Sequence, residues 1–239
     1  MGSKIDFLFY SPDVEKTLAL DPIESLHAIK VLRKRQGDLI QVTDGKGGWF
    51  SCEITRPDPK SCGLAIRSAG YDWQRPEREI YIAISPTKNS DRIEYFLEKS
   101  IEIGVSGVYF IKTQNTYPQK INLERLEKIA VSAMKQSLKA YKPALSGLIS
   151  FPEFIKEAAV FPHKFLAHLN DSSEDIIDVP LADKMLVLIG PEGDFSKEEL
   201  QIASENGFQT LTLGKSRLRT ETAGVFAVSV LNARKYPHT

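Results

Sequence analysis

Residues 185–189, Met-Leu-Val-Leu-Ile, are the longest purely aliphatic run in the chain, and Gly190-Pro191-Glu192-Gly193-Asp194 follows at once. The run is far short of the roughly 20 residues that cross a bilayer. It is also too uniformly apolar for a strand with one wet face. It predicts a strand buried on both sides, the condition of a parallel sheet covered by helices. Ser196 and Glu199 then read as a capping box, with Phe195 and Leu200 as a hydrophobic staple around the start of a helix. A second unit repeats the plan: Phe208–Leu213 as strand, Gly214-Lys215-Ser216-Arg217-Leu218-Arg219 as loop, and a helix from about Thr220 to Arg234.

The same alternation extends upstream to a boundary near 70–76. Ile80–Ser85 reads as a strand, and Asp91 with Glu94 as a capping pair opening a helix. That helix carries Ile93, Phe96, Leu97 and Ile101 on one face and stops at Gly104. Gly107–Lys112 is the next strand. Asn122 caps a long helix with Leu126, Ile129, Ala133 and Met134 inward, Ser150 and Glu153 start a short one, and Phe165–Leu169 is a strand. Before the boundary the rhythm is different. Asp38–Val42, the turn Asp44-Gly45-Lys46-Gly47-Gly48 and Trp49–Ile54 form a strand, turn and returning strand. Cys62–Ser68 adds another strand, and Ser25–Arg35 reads as a helix through Leu26, Ile29 and Leu32. The fold class is α/β: a small N-terminal β-barrel domain over 1–70 and a larger domain with a largely parallel sheet over 75–239.

Composition narrows the function classes. Lys and Arg number 31 against 31 Asp and Glu, with 42% hydrophobic and 26% charged residues. That is ordinary globular chain with enough apolar side chain for a core; it excludes a histone-like polycation, an acidic disordered tail and a disulfide-stapled mini-protein. Cys52 and Cys62, the two cysteines, have no CxxC spacing and no histidine at ligand spacing, so they read as reduced thiols, with no metal expected. The first residues, Met-Gly-Ser-Lys-Ile-Asp, hold no apolar stretch for a signal peptide. A cytoplasmic protein with no membrane partner is the expectation.

Ligands of open α/β sheets bind beyond the carboxyl ends of strands, where loops meet helix N-termini. The loops at 190–194 and 214–220 occupy that position. Gly190 and Gly193 either bring backbone close to a ligand or simply make a tight turn. Gly214-Lys215-Ser216 does not complete a phosphate loop, because position 209 is Gln where the motif needs glycine. GxSxG, HExxH and GxGxxG are absent. Of His27, His163, His168 and His238, only His168 falls at a strand end, and for a lone histidine there a hydrogen-bonded structural role comes before catalysis. Arg217 and Arg219 crowd a helix start, where the dipole disfavours cations, with Glu221 as dipole complement or arginine partner. They imply an anion to be met, unless the segment is a solvated surface turn. Val225, Phe226, Val228, Val230 and Leu231 make the last helix apolar nearly all round, as in a core or an oligomer interface. Lys30, Arg33, Lys34 and Arg35, beside His27, put four cations within six residues. At helical spacing Lys30, Arg33 and Lys34 share a face, either solvated or contacting phosphates. Residues 1–70 hold 10 Lys and Arg against 9 Asp and Glu, so any RNA contact is local rather than a field of the whole domain.

Read together, these motifs resemble the 16S rRNA uridine-N3-methyltransferases (RsmE type) of the SPOUT superfamily. The carrying residues are His27-Ala28-Ile29-Lys30-Val31-Leu32-Arg33, Asp44-Gly45-Lys46-Gly47, Glu102-Ile103-Gly104-Val105, Gln136-Ser137, Ile189-Gly190-Pro191-Glu192-Gly193, and Leu213-Gly214 through Leu218-Arg219-Thr220-Glu221-Thr222-Ala223. They run in family order over nearly the whole length. The resemblance implies a PUA-like first domain and a second domain tied in a deep trefoil knot. It also implies S-adenosyl-L-methionine in the knot, bound by Leu166, Ile189, Gly190, Pro191, Glu192, Gly193, Leu213, Gly214, Leu218, Thr222 and Ala223. Arg219 would be catalytic, stabilising a uridine anion, with Glu221 orienting it or acting as base. His27, Lys30, Arg33, Lys34, Arg35 and Arg217 would meet RNA. The implied partners are 16S rRNA or the small ribosomal subunit, the implied target a uridine in the 3′ region (decoding site), and the implied state a homodimer. Two departures stand out: Asp194 where relatives commonly have a second glycine, and Lys135, often acidic in relatives. Two other readings remain open: a non-catalytic RNA-binding or ribosome-assembly module, and a phosphotransferase using Gly214-Lys215-Ser216, which the spacing disfavours.

Overall fold

A computed structural model describes residues 7–117, 120–168 and 173–234. Residues 1–6, the expected strand end at Leu169, and His238 lie outside them. The chain forms two compact units, one of residues 1–75 with 131–142 and one of residues 76–130 with 143–239. The grouping of 131–142 with the first unit is something no single cut of the sequence near 70–76 anticipates.

In the first unit, β1 (Leu8–Tyr10) is followed by α1 (Val14–Thr17) and α2 (Pro22–Leu26), then by β2 (Leu39–Thr43), β3 (Trp49–Arg56) and β4 (Gly63–Gly70). The sheet order is β1-β2-β3-β4, with β1 parallel to β2 and the other pairs antiparallel. Residues 18–20 run along the far side of β4, where Leu64 N donates to Leu18 O and Leu20 N to Cys62 O. The stretch 8–20 therefore covers both edges of the sheet, which is how a small barrel closes. Phe9, Val42, Phe50, Cys52, Ile54 and Cys62 fill its core. Asp44 fixes the glycine-rich turn by accepting from Lys46 N and Gly48 N.

The helix expected over Ser25–Arg35 is corrected. It begins earlier because Asp21 accepts from Ile23 N and Glu24 N, both at 2.8 Å, and Pro22 suits the first helical position. After Leu26 it widens into a π-helical turn over His27–Val31, in which Leu32 N reaches His27 O. The wider turn rotates the apolar stripe: Ile29 and Leu32 pack on the core while Leu26 is left exposed. The chain leaves the helix at Arg33, whose φ is 54°. Lys30, Arg33 and Lys34 thus do not share a helix face.

The second unit contains β5 (Glu79–Ile84), α3 (Ser90–Ile103), β6 (Gly107–Lys112), α4 (Leu123–Gln136), β7 (Ala144–Ser150), α5 (Phe151–Glu157), β8 (His163–Ala167), β9 (Glu174–Asp175), β10 (Lys184–Ile189), α6 (Lys197–Glu205), β11 (Gln209–Thr212) and α7 (Thr220–Ala233). The end of α4, from Val131, counts with the first unit. The strands form one sheet in the order β7-β6-β5-β10-β8-β11-β9, and every pairing is parallel. β10 lies between β5 and β8, and Met185, Leu186, Val187 and Leu188 are fully buried, as an aliphatic central strand requires. Phe151, Phe154, Phe161, Phe195 and Phe208 gather with Leu166, Leu186 and Leu188 in one cluster. α7 packs on α3 at Gly224, where a Cβ would come 2.4 Å from a ring carbon of Phe96.

Local signals explain most boundaries. Ser150–Glu153 and Ser196–Glu199 are complete capping boxes. Gly104 ends α3 at φ 127°, a conformation that disfavours side chains. One start is corrected: Asn89, whose side chain accepts from Asp91 N at 2.9 Å, caps α3 in place of the Asp91–Glu94 pair. Glu94 instead takes Nε and Nη2 of Arg125 at 2.5 and 2.7 Å.

Candidate active site

The neighbours β10, β8 and β11 end side by side, and the loops that leave them enclose a cavity of about 540 Å³. That volume falls in the roughly 300–1,000 Å³ range of small-molecule sites. Each strand adds a segment to the wall. Ala167 ends β8 and His168 follows it. Ile189 ends β10, and Gly190, Pro191, Glu192 and Asp194 follow it. Thr212 ends β11, Leu213 and Gly214 follow it, and Ser216 through Arg219 lead to α7, which adds Thr220 and Ala223.

Of the residues expected to hold a cofactor, Ile189, Gly190, Pro191, Glu192, Leu213, Gly214, Leu218 and Ala223 line this space. Three others do not. Leu166 is buried in the apolar cluster one residue before the wall begins, Gly193 backs onto Asn115, and Thr222 is exposed on α7. The glycines answer the choice between turn and ligand approach. A Cβ at Gly190 would meet the Phe195 ring at 2.8 Å, so packing on that ring favours glycine there, while one at Gly193 would meet Asn115 Cβ at 3.1 Å, a tight contact that asks Asn115 to give slightly. Gly214 has open space around it but φ of 98°, the left-handed region that favours glycine.

Arg217 and Arg219 are exposed side chains on the wall, just before and at the N-cap of α7. Thr220 Oγ1 ties that helix start to the first loop by donating to Gly190 O at 3.2 Å. Glu221 is buried beneath, away from the wall. The expected link between Glu221 and Arg219 is replaced by an ion-pair contact with Arg92 Nε of α3 at 3.8 Å. Glu221 Oε2 is buried without a hydrogen-bond partner among the described residues.

Two residues not assigned a site role from sequence also stand on the wall. His168 Nδ1 lies 3.3 Å from Asp194 Oδ2. Asp194 adopts φ of 60°, a left-handed position that Asp tolerates better than most residues. Its carboxylate accepts from Phe195 N at 2.8 Å. Asn115, after β6, donates through Nδ2 to Gly193 O at 3.0 Å and Asp194 O at 2.9 Å, fixing the loop from behind. Asn115 carried no sequence signal, since it lies in a segment remote from both loops; Asp194 had one, in its departure from the relatives' pattern.

The basic cluster belongs to the first unit. Lys30, Arg33 and Arg35 are exposed and Lys34 is half-buried. Arg35 N donates to Asp38 Oδ2 at 2.7 Å, which closes the turn that carries them. His27 is partly a packing residue, its ring 5.9 Å from that of Phe9 and 6.3 Å from that of Phe7. Among the described residues no group of three His, Cys, Asp or Glu could hold a metal ion, and no helix is long and apolar enough to cross a membrane.

Comparison with known proteins agrees with this arrangement. The family described as RNA methyltransferase domain matches residues 74–232, and the one described as RNA methyltransferase PUA domain matches residues 20–66. A ribosomal RNA small subunit methyltransferase E of Mesomycoplasma hyopneumoniae is 30% identical over 86% of this chain and 89% of its own. A solved structure from Porphyromonas gingivalis, described as a "probable rRNA-methyltransferase", superposes with a TM-score of 0.87 and 42% identity over 95% of this chain and 98% of that one. The ribosomal RNA small subunit methyltransferase E of Neisseria gonorrhoeae, solved bound to S-adenosyl methionine, has a TM-score of 0.81 and 26% identity, covering 93% and 95% of the two chains. The α/β fold with its PUA domain, the wall of three strand-end loops and these likenesses together make the chain a member of the ribosomal RNA small subunit methyltransferase E family.

Proposed function

We propose that this protein transfers a methyl group from S-adenosyl-L-methionine to N3 of a uridine in the 3′ region of 16S rRNA, at the decoding site. The observation that carries the reading is the wall of three adjacent strand-end loops closing on the N-terminus of α7, with Arg217 and Arg219 at its rim. The residues present suit the cofactor. Ile189, Leu213, Leu218 and Ala223 offer apolar surface for an adenine ring, and the backbone of the three loops offers polar groups for its edge and ribose. Exposed Glu192 and Asp194 give a positively charged sulfonium an acidic neighbourhood. When bound, that cofactor supplies an electrophilic methyl group.

The remaining work belongs to the chain. Methyl transfer is an in-line displacement, so most of the catalysis is positioning. Arg219 stabilises the negative charge that develops on a uracil carbonyl oxygen as the imide proton leaves. Glu221, against Arg92 of α3, holds the first turn of α7 and with it the arginine. The cations Lys30, Arg33, Lys34 and Arg35 contact phosphates, with His27 beside them. We place a trefoil knot around the three loops, in keeping with β11 pairing between β8 and β9 before α7 returns along β5 and β10.

We also infer a cytoplasmic homodimer. The buried, unpaired thiols of Cys52 and Cys62 suit a reducing compartment. On α7, Phe226 is 38% exposed although Val228 and Leu231 are fully buried, leaving an apolar side for a second copy. The test is mass spectrometry of rRNA from a strain lacking the gene, together with calorimetric titration of the protein with S-adenosyl-L-methionine. Loss of N3-methyluridine from the small-subunit 3′ region and a saturable heat are expected. RNA binding with no cofactor heat would instead support a non-catalytic assembly module.

A further inference from the structure

Removal of the imide proton needs an acceptor, and Glu221 is buried off the cavity wall and turned to Arg92. Among the described residues, the charged side chains that line the cavity with His168 are Glu192, Asp194, Arg217 and Arg219. The arginines do not accept protons. Carboxylates are weak bases for so weak an acid, whereas imidazole exchanges a proton near neutral pH, where a general base is most effective. Among the described residues, His168 is the one lining residue of that kind.

Its surroundings fix how it would work. β8 ends at Ala167, and His168 N donates to Leu211 O at 3.0 Å, so the backbone is anchored to β11. Ser173 Oγ donates to His168 O at 2.8 Å on the other side. Asp194 Oδ2 lies 3.3 Å from Nδ1. That contact holds the Nδ1 edge of the ring toward Asp194 and leaves Nε2 as the nitrogen that takes a proton. Asp194 is itself immobilised through Asn115 and Phe195.

We propose that His168, oriented by Asp194, is the proton acceptor of the methyl-transfer reaction. This rests on the reading of the substrate as a uridine imide. The N3–H bond breaks with its electron pair left on nitrogen and its proton passed to Nε2 of His168. Nitrogen then bonds the methyl carbon, the carbon–sulfur pair stays on sulfur, and the imidazolium releases its proton to water.

The experiment measures single-turnover methylation against pH for the full-length protein and for H168Q and D194N. The RNA substrates are unmodified small-subunit rRNA and the same RNA carrying 5-fluorouridine, whose imide ionises more readily. H168Q is expected to lose about 100-fold in rate at neutral pH, to lose the acid limb of the profile, and to keep its cofactor affinity. The fluorinated RNA should restore most of the H168Q rate and help the wild type little. D194N is expected to lower the rate, and the fluorinated RNA to restore part of it, because the imidazole loses the carboxylate that orients it. An unchanged acid limb in H168Q, no rescue by the fluorinated RNA, or a loss confined to cofactor affinity overturns the assignment while the methyltransferase reading stands. A wild-type protein that methylates neither RNA overturns both.

Discussion

Lys135, near the end of α4, pairs with Glu24 of α2, 111 residues away, and the two side chains are only 18% and 6% exposed. The pair lies within the first unit, to which residues 131–142 belong. It gives the lysine a physical role, since an acid at 135 would face a buried carboxylate. K135M should destabilise the protein by about 3–5 kcal/mol, since it strands that charge. The double variant E24Q/K135M should recover most of the loss. Urea unfolding of the three proteins checks this, and an unaffected K135M midpoint would refute the pairing.

Burial governs the thiols. It pushes Cys52 up to about 11 and raises Cys62 as well, where nearby Arg56 lowers and Asp58 raises the value to a smaller extent. A raised thiol value means less thiolate at any pH below it, and thiolate is the reactive form. The native protein at pH 8 should therefore show no fast reaction with a disulfide reagent, and both cysteines should react after denaturation. Fast native labelling would show that the chain opens locally at β3, which carries Cys52, or at Cys62 just before β4.

The sequence carried the periodic parts of this fold well, for identifiable reasons. Met185–Ile189 could only be a central strand, and the two capping boxes satisfy their helix starts with side chains close in sequence. What stayed hidden depends on contacts distant in sequence or on backbone states without a periodic mark. The π turn at His27–Val31 still leaves Ile29 and Leu32 inward, so the apolar pattern looks like an ordinary helix. Asp91 and Glu94 matched a capping pair, yet Asn89 captured the helix start and Arg125 captured Glu94. At the site, the loops and Arg217 and Arg219 were legible. The partners of Glu221 and Asp194 were not, because Arg92, Asn115 and His168 come from separate elements.

The Asn115 contacts give a direct handle on the loop after β10. Asn115 donates to two successive carbonyls, Gly193 O and Asp194 O. N115A removes both bonds, each worth about 0.5–1.5 kcal/mol. Cofactor affinity should fall roughly tenfold or more, with the global unfolding midpoint little changed. Calorimetric titration beside thermal melting tests this. An equal loss in both would mean that Asn115 supports the fold rather than the loop.

Gly224 separates two effects of opposite sign. Alanine is the better helix former by about 1 kcal/mol. Its Cβ, however, would stand 2.4 Å from Phe96 Cε2 and 3.2 Å from Ile84 Cδ1, both in fully buried side chains. Overpacking of that kind costs about 1–3 kcal/mol, so G224A should lower stability despite its propensity. F96L beside it should recover part of the loss by clearing the ring. A G224A protein with a raised melting temperature would show that α3 and α7 slide apart freely.

Arg219 tests the chemistry itself. Lysine keeps the positive charge but replaces a planar fork with a single mobile ammonium. If the arginine merely drew RNA in by charge, R219K would retain turnover and differ mainly in salt dependence. If it holds a developing oxyanion, the lost geometry should appear in the chemical step. R219K should then fall about 100-fold in kcat, with S-adenosyl-L-methionine affinity and RNA affinity each within about twofold of the parent, a shift under about 0.5 kcal/mol. R217K is the internal control, because Arg217 lines the same cavity without capping α7. Its loss should appear in RNA affinity rather than kcat, and equal kinetic losses in the two variants would assign both arginines to binding.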